Sequence, residues 1–390
     1  MNNRERFLAI MDFQPGVRTL LWEWGYWGGA IDRWYGEGLP KVQGLREPAA
    51  YGDTVAGPGA AWGSGVLNVQ RAEDVSAFLG FDPPRQTIPL QNFFFPQFKP
   101  EIVDEDAEHR IVRDEMGVLL KQREDGASKP LYLAWPVHDR DSWERLKGER
   151  FRPDLARRLP AGWPELVRQY RERDYPLAIA SGYCGFFSPL RVLMGEERLF
   201  YAYYDDPALV HTILDDLCDL WIEIYGAMLE DVQPDSAEFF EDMAYRNGSL
   251  ISPAAFREFM LPRYKRLIGF LRERGIRNFC VDTDGDCRGL IPLFLECGIT
   301  QMLPFEVQAG MDIVAVRPAY PRLGIYRGLD KRALAQGKEA IDRELEKAAV
   351  LLRQGGYIPF ADHLVPPDVP WENFVYYRRR LAEMAEATEG

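Results

Sequence analysis

An α/β fold, read as a single (β/α)8 TIM barrel with an N-terminal extension and an inserted β-hairpin, is what this 390-residue sequence predicts. Three observations carry that expectation. After Trp135, strand-like apolar runs alternate with helix-sized amphipathic segments. The whole chain offers about eight such runs, the number a closed parallel barrel needs. Several of them end in ionisable residues, at Glu241-Asp242, Asp282, Glu306, Arg327 and Asp362-His363, and the carboxyl ends of its strands are where a parallel barrel carries its chemistry.

In chain order, Asn3-Arg-Glu-Arg-Phe-Leu-Ala-Ile-Met joins an N-cap candidate to helical apolar spacing, which suits a first helix covering the barrel bottom. Pro15-Gly16 ends it, and Thr19-Leu-Leu-Trp-Glu-Trp24 reads as the first strand. Trp22, Trp24 and Tyr26, in that strand and the glycine-rich loop after it, are candidates for an apolar substrate wall, with core packing as the alternative. Residues 82–135 break the α/β rhythm. Their Arg110–Lys121 portion, with a turn at its middle, reads as a β-hairpin inserted near the barrel mouth. Leu177–Gly182 is the next strand, followed by Tyr183 and Phe186 as further wall candidates. Asp206-Pro207 opens a long helix, Ser236–Asp242 is a strand ending in acids, and Ser252-Pro253 caps a helix running to Arg274. The remaining strands are Phe279–Asp282, Thr300–Glu306, Arg322–Asp330 and Tyr357–His363, and residues 1–390 are read as one barrel domain.

Composition narrows the partners. With 47 basic against 60 acidic side chains the formal charge is −13, and no basic run could neutralise a series of phosphates, so nucleic acid is not expected. No apolar leader or membrane-length stretch occurs, which predicts a cytoplasmic protein without a membrane partner. Five cysteines, odd in number and without a C-x-x-C pair, read as buried thiols.

The chemistry centres on Asp282-Thr-Asp284-Gly-Asp286. Strand alternation puts Asp282 and Asp284 on one side, ~6–7 Å apart, while Asp286 reads as a helix cap. Of the four histidines only His363 follows an apolar strand. Two carboxylates and one imidazole at one rim make an O,O,N set that suits zinc or another divalent ion. A metal-free alternative makes His363 a general acid/base oriented by Asp362 or Asp282, with the acids holding Arg327. Glu241, Asp242 and Glu306 are further ligand or acid/base candidates.

The chain resembles the uroporphyrinogen decarboxylase superfamily, which includes barrel-fold methyltransferases serving corrinoid proteins. The resemblance is carried by Asn3–Met11, Ser252-Pro-Ala-Ala-Phe-Arg-Glu-Phe-Met-Leu-Pro262, Asp282-Thr-Asp-Gly-Asp286, and Pro366-Pro367 with Trp371-Glu-Asn373. In the thiol-activating methyltransferases, a His-x-Cys pair and a cysteine before a Pro-Pro-like turn hold zinc. By position, Asp282, Asp284 and His363 stand there, so hard donors replace thiolates and thiol activation is not expected. The decarboxylase's arginine-bearing segment corresponds to Trp24–Arg33, which offers aromatics and one arginine. The resemblance therefore implies transfer of a methyl group from a small O- or N-methyl compound, such as a methoxyaromatic, to the corrinoid of a partner protein. A metal at Asp282, Asp284 and His363 would assist, Arg327 would meet a substrate carboxylate, and a homodimer is a further expectation. The alternatives are a decarboxylase with another carboxylated substrate and a non-catalytic ligand-binding barrel.

Overall fold

Seven parallel strands, Gln86–Thr87, Leu177–Ala180, Ser236–Phe240, Asn278–Asp282, Gln301–Leu303, Gly324–Tyr326 and Tyr357–Ile358, form the central sheet, and their order in space is their order in the chain. The computed structural model describes residues 1–45, 52–59, 70–123, 130–180 and 182–388. Helices return the chain between strands, as the right-handed βαβ connection requires, and the result is the expected α/β barrel. Alternation decides which side chains face where. Phe279 and Val281 pack outward among the helices, while Cys280 joins Trp22, Trp24, Leu303, Tyr326 and Phe360 in the barrel interior. The first helix, Asn3–Met11, starts with a capping box between Asn2 and Glu5, and its Phe7, Ile10 and Met11 close the bottom of that interior.

The expected first strand takes the eighth place without joining the ladder. Thr19 Oγ1 donates to Tyr357 O and Asp82 N to Leu21 O, so the segment touches both neighbouring edges. Two of its own N–H groups are taken by side chains instead, Leu21 N by Asp82 Oδ2 at 2.7 Å and Trp24 N by Glu23 Oε1 at 3.1 Å. A regular ladder needs those donors. Strand geometry begins only at Gly25–Trp27, which pairs antiparallel with Thr54–Ala56 and bridges to Val365.

The inserted hairpin is present, but it is the middle of a four-stranded antiparallel sheet, Glu101–Glu105, His109–Arg113, Leu119–Arg123 and Leu131–Ala134. Its turn is set by Asp114 Oδ1, which accepts from Met116 N and Val118 N, and by Gly117 at φ 79°, where a Cβ would lie 2.7 Å from the Phe98 ring. The acid-rich first strand lacked an apolar pattern to announce it. Among the described residues, no helix is long and apolar enough to cross a membrane.

Candidate active site at the barrel mouth

Parallel register assembles the mouth. Asp282 lies beside Phe240 on one neighbour and Leu303 on the other, so the loops that begin at Glu241, Thr283 and Pro304 leave the sheet at one level. Asp242 (φ 41°), Phe305 (φ 58°) and Arg327 (φ 70°) all adopt left-handed backbone just past strand ends. Such conformations cost non-glycine residues about 1–3 kcal/mol each and persist where surrounding contacts over-determine them. Between them Gly285 (φ 79°) is pressed against the next loop, where a Cβ would sit 2.5 Å from Ala244 O. Its N–H donates to Glu306 Oε2 at 3.0 Å. Gly285→Ala is therefore expected to cost more than about 2 kcal/mol, from positive φ and the backbone clash together. It should also release Glu306, and urea titration alongside metal titration measures both effects.

Ligand atoms of Asp284, Glu306 and His363 all lie within 4.8 Å of one another. Two carboxylates and an imidazole form a hard O,O,N donor set that fits a divalent cation, with room for water or substrate in the remaining positions. Leu364 N donates to His363 Nδ1 at 2.8 Å, which leaves the proton of the neutral ring on Nε2, 4.0 Å from Asp284 Oδ2. Holding a cation through Nε2 would put that proton on Nδ1, at the expense of the Leu364 contact. Asp284 and Glu306 open onto a cleft of about 580 Å³, lined also by Arg191, Asp242, Tyr245, Arg246 and Arg332.

Carboxylates crowd this rim. Burial, then the charges of Asp242, Asp282 and Glu306, push Asp284 well above the usual carboxylate range. Burial likewise pushes Asp282 up to about 7, against the pull of Arg327. A bound cation would relieve this repulsion, which is a second sign that one fits. His363 is pulled down to about 3 by burial and by the Arg327 and Lys331 charges, so it is neutral and suited to ligation. The fully buried Arg327 lies 3.8 Å from Asp282 Oδ2, with its guanidinium 3.9 Å over the Trp24 ring. Trp24 in turn meets His363 edge-on at 5.0 Å.

The sequence-derived residues sort as follows. Asp284, Glu306 and His363 come together, with Glu306 in the place expected for Asp282, which faces Arg327 instead. Asp362, a possible partner for His363, points elsewhere and accepts from Val307 N and Lys331 N, fixing the loop that carries Glu306. Asp242 lines the cleft beside Arg191, at 3.6 Å. Glu241 is fully buried and accepts from Phe186 N, Phe187 N, Ser188 N and the Tyr264 hydroxyl, so it positions a helix start. Of the wall candidates only Trp24 touches the triad. Trp22, Tyr26 and Phe186 are core residues, Tyr26 against Trp34 and Phe374 and Phe186 against Trp221 and Tyr264. Tyr183 packs on Phe93. Asp286 pairs with Arg288. Arg191 and Arg332 went unnoticed because neither sits at the end of an apolar strand run.

Comparison with known proteins agrees with this architecture. Residues 111–382 match the model of the family described as uroporphyrinogen decarboxylase (URO-D). No curated protein sequence matches significantly. Among solved structures, a methyltransferase from Methanosarcina mazei aligns over 98% of this chain and 98% of its own, at 16% identity and a TM-score of 0.59. A putative vitamin-B12-independent methionine synthase from Listeria monocytogenes aligns over 56% of this chain and 68% of its own, at 14% identity and a TM-score of 0.31. A B12-independent methionine synthase from a Shewanella species, in complex with selenomethionine, aligns over 80% and 84%, at 10% identity and a TM-score of 0.36.

Proposed function

We propose that this chain, which belongs to the uroporphyrinogen decarboxylase family, is the substrate-activating methyltransferase of a corrinoid-dependent demethylation system. It would move a methyl group from a small O- or N-methyl compound to the cobalt of a separate corrinoid protein. The observation that carries this reading is the convergence of Asp284, Glu306 and His363 at an open barrel mouth. A divalent ion held by these three residues, zinc in the first instance, would supply Lewis acidity to the heteroatom that carries the methyl group.

The chain's own residues do the rest. Arg191, Arg246 and Arg332 line the cleft beside the triad and suit an anionic substituent such as the carboxylate of a methoxyaromatic acid. Arg327 is too buried to meet it and instead pairs with Asp282. In the transfer, the C–O or C–N bond breaks with its electron pair going to the heteroatom, and the Co–C bond forms from the electron pair of cobalt(I). The departing heteroatom takes a proton, a role this reading gives to Asp242, which lines the cleft.

Reduced corrinoid protein mixed with this chain and a panel of methoxyaromatic acids and methylamines is expected to convert spectrally to the methyl–cobalt form for at least one donor. The same arginines would also suit a carboxylated substrate that loses carbon dioxide. Carbon dioxide release from an aromatic or pyrrolic acid, with no methyl–cobalt product from any donor, would establish that second reading and reject the first.

A further inference from the structure

Asp362 lies just past the last strand, Tyr357–Ile358, and its partners single it out. Its side chain has no exposed surface. Oδ2 accepts from Val307 N at 2.9 Å and Oδ1 from Lys331 N at 3.2 Å, with Lys331 Nζ 3.5 Å from the same oxygen. Each of these positions adjoins a group at the barrel mouth. Val307 follows Glu306, Lys331 precedes Arg332, and Asp362 itself precedes His363. The two amides share a second property. Val307 N opens the 3-10 turn Val307–Ala309 and Lys331 N the 3-10 turn Lys331–Gln336, so neither finds an acceptor within its own turn. The Glu306 side chain caps nothing in the first turn, and Asp330 caps Arg332 N in the second. One buried carboxylate therefore caps both loops.

We propose that Asp362 is the positioning residue of the ion site, holding Glu306 and His363 in register so that one cation can meet both together with Asp284. The inference rests on the metal reading of that triad proposed above, and it holds whichever reaction follows. Topology gives the reason such a tie is needed. Glu306 follows the strand Gln301–Leu303 and His363 follows Tyr357–Ile358, and Gly324–Tyr326 lies between these two in the sheet. No ladder between neighbouring strands therefore sets the spacing of the two ligands. The Asp362 carboxylate does so, binding Lys331 in the loop of the intervening strand and Val307 in the loop beyond it. An acid suits this place because donors face both of its oxygens, and Lys331 Nζ offsets the buried charge. An amide there would turn its NH2 group toward one set of donors and release that loop.

Titration of the full chain with cobalt(II), standing in for zinc, tests the proposal, because calorimetry gives the affinity and the visible ligand-field bands report coordination geometry. The wild type is expected to take one ion per chain. Asp362→Asn should keep that stoichiometry, shift the bands and raise the dissociation constant about 10–100-fold, the range for losing a group that orients a ligand. Val307→Pro cuts the same tie from the other side and leaves the buried acid in place. Proline fits the first position of a helical turn, and Glu306, at φ −60° and ψ 115°, already has the extended backbone that a following proline requires. This variant should weaken binding and shift the bands in the same direction. Glu241→Gln alters another buried strand-end carboxylate, and should lower the urea midpoint while affinity and bands stay those of the wild type. Wild-type affinity and bands in Asp362→Asn or Val307→Pro overturn the proposal, however stable the variant. So do changes that Glu241→Gln reproduces, since these would reflect a general loss of stability. A wild type that takes up no ion rejects the ion site and the proposal with it, whereas methyl transfer that fails with the ion bound rejects only the proposed reaction.

Discussion

Glu306→Gln and His363→Ala are each expected to weaken divalent-ion binding by more than about 100-fold, while Asp282→Asn leaves the stoichiometry near that of the wild type. The magnitude follows from the donor set, since losing a group that merely orients a ligand already costs some 10–100-fold and losing one of three protein ligands must cost more. The contrast follows from geometry. Glu306 and His363 reach within 4.8 Å of the Asp284 carboxylate, whereas Asp282 is turned to Arg327. Calorimetric titration with zinc and elemental analysis after dialysis read the result. Methyl transfer should fall with metal content in the first two variants. If Asp282→Asn loses the ion as completely as His363→Ala, the ligand set must be redrawn around the strand-end aspartate.

That difference between Asp282 and Glu306 marks where the sequence stops being legible. Alternation in the apolar runs revealed the barrel, and the ionisable residues closing those runs revealed its functional rim. The period-two rule, however, holds only inside a strand, and this strand ends at Asp282, so it could not tell that Asp284 would group with Glu306 and His363 while Asp282 pairs with Arg327. Glu306 could be ranked only behind the two aspartates, because what brings it to Asp284 is the pairing of Asp282 with Leu303 across two parallel strands. Local sequence carries no record of that register. Tyr26 and Phe186 were ambiguous for a different reason, since aromatic side chains fill cores and line pockets equally well. The segment 19–24 has a strand's apolar content but gives ladder donors to the carboxylates of Asp82 and Glu23, an exchange visible only once distant residues are in place.

Glu241 shows how a strand-end acid can serve the fold in place of the reaction, and it yields the largest expected effect on stability. Its carboxylate has no exposed surface. Phe186 N and Phe187 N donate to it at 2.7 Å each, Ser188 N donates at 3.1 Å, and the buried Tyr264 hydroxyl donates as well. The three amides open the helix Ser188–Met194, whose cap residue Phe187 offers no side-chain acceptor of its own, so Glu241 caps that helix from the neighbouring strand. Burial pushes the carboxyl up, and these hydrogen bonds hold it down. Glu241→Ala leaves four buried donors without an acceptor and opens a void beside Gly185, whose ideal Cβ position is 2.8 Å from the Glu241 carboxyl carbon. The expected loss is about 3–5 kcal/mol, the scale seen when a buried charged partner is removed from its network. Glu241→Gln should recover only part of it, because its amide nitrogen would face donors. Urea unfolding at neutral pH measures both variants. A loss below about 1 kcal/mol for Glu241→Ala, with methyl transfer abolished in a stably folded barrel, would return this residue to the catalytic machinery.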